Sequence, residues 1–222
     1  MKKKLIILTG PTAVGKTDLS IRLARTVGGE IISADSMQVY RRMDIGTAKI
    51  RPEEMDGVRH HLIDILEPTE SFNAFLFKEY ALKAANEIWE RGSIPIIVGG
   101  TGFYIQTLLY DIEFVKSDEN DGIRDELNKL YEEHGAAFLH DMLAKADPEY
   151  AAEVHENNVK KVIRAIEFYR QTGHKLSEHN TEQRERTSPY NFEYFVLSDD
   201  RAVLYERIDC LLYTSPSPRD ST

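Results

Sequence analysis

The chain opens on a short apolar run, Leu5-Ile6-Ile7-Leu8, framed by Lys4 and Thr9. A run of that length ahead of a glycine-rich stretch reads as a buried strand over 4–9. Helical spacing follows over 16–27, with Leu19, Leu23, Ala24 and Val27 on one side. Residues 30–34 predict a second strand. Residues 75–91 predict a long helix that stops at Gly92, a natural C-cap. Residues 94–98 predict another buried strand, closed by Gly99 and Gly100. Strand and helix in alternation imply a parallel sheet with crossover helices. The pattern changes from 117 to 186, where no strand signal stands out and helical periodicity dominates. Polar and turn residues over 184–189 end that stretch. A strand then returns at 192–197, and a helix starts at Arg201. Internal repeats are absent from the sequence. Residues 211–222 show no period and carry two Ser-Pro pairs, which predicts a disordered tail.

Composition narrows the class. The chain has 222 residues and 41% hydrophobic content, enough to bury a substantial core. Cys210 is the single cysteine, which excludes a disulfide framework and a cysteine-based zinc cluster and suits a reducing cytoplasm. The apolar run after Lys2-Lys3-Lys4 is too short for a signal peptide, and no stretch is long enough to span a membrane. The net charge of −9 argues against a nucleic-acid partner, but the charge is uneven. Residues 117–156 carry twelve acids against three bases, whereas 157–175 carry five bases against one acid. A local basic face can bind phosphate on an acidic molecule.

The chemistry concentrates after the first strand. Gly10, Pro11, Thr12, Ala13, Val14, Gly15, Lys16 and Thr17 match G-x-x-x-x-G-K-[ST] between a strand and a helix. Backbone N–H groups of such a loop wrap an anion, and the helix N-terminus adds its dipole. Lys16 supplies a positive charge, and the Thr17 hydroxyl can ligate Mg²⁺. The loop does not name its ligand, which in many proteins is a nucleotide such as ATP. No carboxylate closes the 94–98 strand, as ATP hydrolases usually require, and this weakens a motor-ATPase reading. Asp35 follows the second strand and so shares the sheet rim with the loop. A carboxylate there can take a proton from a nucleophile, cap a helix or bind magnesium, and the residues alone leave these readings open. The fold expected is α/β: a parallel-sheet, P-loop NTPase-like core over 1–116 and 187–209, an all-helical insertion over 117–186, and a disordered, non-native tail over 210–222.

Six motifs in order carry a resemblance. They are G-P-T-A-V-G-K-T at 10–17, S-A-D-S-M-Q-V-Y at 33–40, M-D-I-G-T-A-K at 43–49, H-H-L-I-D-I at 60–65, P-I-I-V-G-G-T-G-F-Y at 95–104 and R-A-I-E at 164–167. Together they resemble the tRNA dimethylallyltransferase family from about residue 4 to 209. The resemblance implies transfer of a dimethylallyl group from dimethylallyl diphosphate to N6 of the adenosine beside the tRNA anticodon, with Mg²⁺. It implies that Asp35 is the general base, that Lys16 and the loop hold the diphosphate, and that Thr101 contacts substrate. It implies that Asp35, Ser36, Met37 and Gln38 handle the target nucleotide, and that Arg124 contacts tRNA. It also makes the insertion a tRNA-gripping domain. Lys160, Lys161 and Arg164 would supply basic contacts opposite an apolar stripe of Val159, Val162, Ile163, Ile166 and Tyr169, with Val162 and Ile163 counted among the tRNA-binding positions. A cytoplasmic monomer without a membrane partner is expected. The sequence from Cys210 onward departs from the family pattern.

Blander readings compete. His60-His61 suggests a metal, but adjacent side chains in a strand point apart and no cysteine lies nearby, so structural roles are favoured. Phe72, Phe75, Phe77 and Tyr80 have spacings that suit a core as well as a prenyl pocket. Alternatives for the whole chain are a nucleoside or nucleotide kinase, a prenyltransferase acting on free adenylate, and a non-catalytic RNA-binding remnant.

Overall fold

A computed structural model describes residues 2–113 and 122–214. Five strands form one sheet in the order β3-β2-β4-β1-β5, and each adjacent pair is parallel. They are β1 (Lys4–Thr9), β2 (Gly29–Ser33), β3 (His60–His61), β4 (Ile94–Gly99) and β5 (Asn191–Val196). The helices are α1 (Lys16–Val27), α2 (Ala74–Glu90), α3 (Gly102–Leu109), α4 (Ile123–Ala146), α5 (Pro148–Glu153), α6 (Val159–Thr172), α7 (Leu176–Glu185) and α8 (Arg201–Thr214).

The β1, β2 and β4 strands read as nearly continuous apolar runs because both faces of the sheet are covered there. Ile31 of β2 and Ile96 of β4 pack in one cluster with Ile21 and Ala24 of α1. Ile32 and Ile97, one residue further along, point to the opposite face and are fully buried. Helix α2 packs on these same two strands and buries Phe77, Ala81, Ala85 and Ile88. Asn73 caps α2, its side chain accepting the Leu76 N–H at 3.0 Å.

The buried face of α1 keeps Ala24, Leu23 and Val27 at the cluster as the periodicity predicts, but Leu19 falls outside it. Ser20, Ile21 and Ala24 are buried, whereas Leu19 is 41% exposed. Leu23 and Val27 lie at the margin of the cluster. Buried Ser20 is satisfied by donating to the Thr17 carbonyl at 2.7 Å. A second difference lies at the C-terminal end. Helix α8 runs through Thr214, so residues 210–214 are helical where a disordered tail was expected. Neither proline nor glycine occurs from Arg201 to Thr214, so nothing there breaks the helix. The rest of the expected tail, 215–222, lies outside the described residues, as do 117–121 of the expected insertion.

The chain divides into two compact units, Met1–Ile112 with Ser188–Thr222, and Glu113–Thr187. The second is helical among its described residues. Its core joins Leu127, Leu139 and Leu143 of α4 to Val162, Ile163 and Ile166 of α6. Helix α4 bends at Gly135, whose φ of 82° and ψ of 179° suit only glycine. Asp147 is buried and ties two helix starts together. It accepts the Tyr150 N–H at 3.1 Å, the Ser177 N–H at 2.8 Å and the Ser177 hydroxyl at 2.7 Å.

Candidate functional site

Residues 10–17 form the turn from β1 into α1. Gly15 sits at the helix N-cap with φ 90°, a conformation that glycine adopts freely and that aims the following N–H groups into the loop. A side chain at Gly10 would strike the Leu197 carbonyl at 2.6 Å, so the loop lies close against the end of β5. Lys16 curls over the loop, donating from Nζ to the Gly10 carbonyl at 2.9 Å and the Pro11 carbonyl at 2.7 Å. Burial holds its ammonium below the ordinary lysine value, and the negative charge of Asp35 only partly offsets this. The two charges therefore share one electrostatic environment.

Asp35 follows β2 by two residues. Its Oδ1 accepts the Met37 N–H at 2.8 Å and the Gln38 N–H at 3.2 Å. No helix starts there, so the carboxylate caps a turn rather than a helix. Oδ2 has no hydrogen-bond partner among the described residues. Gln38 points back across the same segment, its Nε2 donating to the Thr47 carbonyl at 3.3 Å. One cavity brings Lys16, Thr17, Ser33, Asp35, Gln38 and His60 into a common wall. Met37 is exposed, and Ser36 lies between it and Asp35.

Thr101 is not part of that wall. It occupies the N-cap position of α3, one turn beyond β4, and its side chain makes no capping bond. The β4–α3 turn lies near the loop, since a side chain at Gly100 would come within 3.7 Å of the Gly10 carbonyl. Buried Tyr104 stands behind this turn. Burial raises its phenol pKa, and the negative potential of Tyr40 and Asp35 adds to the rise. Phe77 stacks on Tyr104 at 4.8 Å and Phe72 meets its edge at 5.7 Å, so these aromatics form a packed backing.

The two histidines part company, as neighbours in a strand must. His61 Nε2 lies 2.7 Å from Glu30 Oε2, and Arg91 clasps the same carboxylate at 2.9 and 2.8 Å. That network is structural. His60 instead lines the cavity, with Nδ1 2.9 Å from the Val58 carbonyl. Among the described residues no group of three His, Cys, Asp or Glu side chains is arranged to hold a metal. The donor set around Thr17 and Asp35 is instead one of hard oxygens, which fits Mg²⁺ retaining most of its water.

Several residues here escape sequence reasoning. His60 and Ser33 have no periodic signal, and Tyr104 reads as core. Each falls inside one of the six ordered motifs, and His60 also stands out as one of the His60-His61 pair.

In the helical unit, Lys160, Lys161 and Arg164 are exposed, and none has an ion-pair partner among the described residues. Val162 and Ile163 do not belong with them. They are 0% and 6% exposed and pack in the unit's core, so their side chains cannot touch RNA. Helical spacing puts them on the inner face that the same wheel assigns to Ile166. Arg124 is committed to Glu167, an ion pair of 2.5 Å with a carboxylate that is buried. Arg170 pairs with Glu126 at 3.1 Å. Within the acidic run Glu126 thus neutralises one base of α6, Arg170.

A parallel sheet with this loop after its first strand and an acid after its second defines a phosphate-binding α/β core of the P-loop type. The IPP transferase family profile matches residues 38–210. A tRNA dimethylallyltransferase of Lachnoclostridium phytofermentans is 58% identical over 205 residues, covering 92% of this chain and 66% of that protein. One from Bacillus mycoides is 48% identical over 208 residues, covering 94% and 65%. The structure of the full-length tRNA isopentenylpyrophosphate transferase from Bacillus halodurans is similar with a TM-score of 0.65 at 45% identity, covering 96% of this chain and 66% of that one. That of a eukaryotic dimethylallyltransferase acting on tRNA gives 0.83 at 35%, covering 95% and 53%. The chain belongs to the IPP transferase family. It spans slightly less than two thirds of the length of these bacterial relatives.

Among the described residues, no helix is long and apolar enough to cross a membrane.

Proposed function

We propose that the chain carries the catalytic core of a tRNA dimethylallyltransferase, which moves a dimethylallyl group from dimethylallyl diphosphate to N6 of the adenosine adjacent to the anticodon. The observation that carries this reading is the shared wall of Lys16, Thr17 and Asp35. It sets a diphosphate anchor beside a carboxylate with one oxygen uncommitted.

Loop N–H groups and Lys16 grip the diphosphate. Two Lys16 donors go to loop carbonyls, and the third is available to a phosphate oxygen. The Thr17 hydroxyl would hold Mg²⁺, which would supply positive charge to the departing diphosphate. The carbon–oxygen bond to diphosphate breaks as the carbon–nitrogen bond to N6 forms. The amine then loses a proton, and Asp35 Oδ2 receives it. Ser36, Met37 and Gln38 receive the adenosine, which must leave the anticodon stack to reach them. Thr101, on the neighbouring turn, contacts the substrate. Lys160, Lys161 and Arg164 meet the tRNA backbone, and Arg124 acts there through the surface left exposed beside its ion pair with Glu167. The protein works as a cytoplasmic monomer.

Mass spectrometry of tRNA incubated with the chain, dimethylallyl diphosphate and Mg²⁺ tests the reading. The expected product is one adenosine heavier by a five-carbon prenyl unit. Prenylation of free AMP with tRNA left unmodified would refute it.

A further inference from the structure

Besides Ser20, whose hydroxyl is spent on the Thr17 carbonyl, the cavity under the phosphate loop has two polar members that the proposed chemistry does not use. Ser33 is 6% exposed, and its hydroxyl has no hydrogen-bond partner among the described residues. His60 pairs in register with Ile31, which lies two residues before Ser33 on β2. Side chains two apart on a strand share a face, so Ser33, Ile31 and His60 all look toward α1, where Thr17 and Ser20 complete the wall.

The tautomer of His60 follows from its partner. A carbonyl only accepts, so the Nδ1–H donates to Val58 at 2.9 Å and Nε2 is left for the cavity. Burial lowers the His60 pKa, the Val58 bond opposing it and the charge of His61 adding to the fall, which favours the neutral ring with Nε2 as an acceptor. The cavity thus presents a carboxylate, hydroxyls and a neutral imidazole. Apart from the Lys16 ammonium, these groups match a ligand that donates hydrogen bonds in several directions. A hydrated magnesium ion is such a ligand, because it dehydrates reluctantly and its waters need acceptors.

We propose that His60 is a positioning residue for magnesium, accepting through Nε2 a hydrogen bond from a water of the ion bound at Thr17, with the Ser33 hydroxyl as a second acceptor. This rests on the reading of the loop as a diphosphate site. His60 does not contact the ion itself, so it sets where the metal sits against the diphosphate rather than whether the loop binds an anion.

The test is calorimetric binding of inorganic diphosphate to the whole chain, with and without Mg²⁺. The wild type should bind more tightly with the metal. His60→Phe should keep the metal-free affinity and lose roughly 2–10-fold of the magnesium enhancement, the range expected for one net hydrogen bond. His60→Gln, which returns an acceptor near the Nε2 position, should recover most of it. A magnesium enhancement unchanged in His60→Phe overturns the proposal, as does equal loss in the Phe and Gln variants with metal-free binding intact. If Lys16→Ala leaves metal-free diphosphate binding untouched, the diphosphate reading fails instead.

Discussion

Replacing Asp35 by asparagine separates the roles open to this carboxylate. Oδ1 accepts from Met37 N–H at 2.8 Å and from Gln38 N–H at 3.2 Å, and an amide oxygen can keep both bonds. The turn that presents Ser36, Met37 and Gln38 should therefore survive, and with it the binding of both substrates. Only the Oδ2 position changes, from an acceptor to an NH₂ donor. Loss of a general base costs typically ~10²–10⁴-fold, equivalent to about 3–5 kcal/mol of barrier. Single-turnover prenylation of an anticodon stem-loop should slow by that factor, in this chain and in a longer relative altered at the matching position. The change also removes the negative charge that supports the Lys16 ammonium against burial. A lysine whose pKa is lowered loses its proton at lower pH. Diphosphate binding should thus weaken on the alkaline side below the ordinary lysine value of 10.5, and Asp35→Asn should move that limb to lower pH still. Near-normal single-turnover rates would refute the base assignment. Loss of magnesium dependence with the rate would make Asp35 a metal ligand instead.

Other perturbations address separate parts of the molecule. Lys16→Ala should weaken diphosphate binding and leave tRNA affinity largely intact, as filter binding and calorimetry would check. Neutralising Lys160, Lys161 and Arg164 together should weaken tRNA binding and reduce its salt slope by about 2–3, since each lost phosphate contact removes roughly one counterion. Lys49→Met should destabilise the fold by roughly 2–4 kcal/mol in denaturant melts, because it deletes buried charge-assisted bonds to Tyr40, Asp44 and Asp64. Burial alone would depress the Lys49 ammonium, but Asp44 and Asp64 more than offset this and hold it above the lysine value of 10.5. Its stabilisation is therefore complete below pH 10.5 and fades only as pH rises through the higher folded value.

The sheet was legible in the sequence because parallel strands covered on both faces carry unbroken apolar runs, as 5–8, 31–32 and 94–98 do. The loop was legible for a different reason. Its glycines and Lys16 answer to an anion, and no packing demand would place them together. The buried side of α1 was legible in part: Ala24, Leu23 and Val27 meet the core cluster as the wheel places them, whereas Leu19 is exposed and small Ser20 faces in instead. Val162 and Ile163 show the converse. They were counted with the basic residues beside them, although the same periodicity assigns them to the core.

Between β2 and α2 the chain runs for forty residues, 34–73, with only the two-residue strand β3 and a single 3₁₀ turn at Pro52–Met55. Periodicity says nothing about such a segment, yet four of its side chains, Asp35, Gln38, Ile50 and His60, line the cavity. Its order comes from closure on itself. The Val39 carbonyl accepts from Ile65 at 2.9 Å and from Leu66 at 3.1 Å, and Arg41 N–H donates to the Leu66 carbonyl at 2.8 Å. Lys49 sits 8% exposed at the centre, drawing Asp44 and Asp64 onto one ammonium at 2.7 and 2.5 Å. A cation buried to that extent would be costly without such partners, so its hydrogen bonds specify a single arrangement of the segment. Asp35 is thus held at one end by the sheet, while Gln38 and His60 are held by a loop that closes around a lysine. The motifs at 43–49 and 60–65 answer to one another in space through Lys49 and Asp64. Lys49 closes the third motif, 43–49, and Asp64 belongs to the fourth, 60–65.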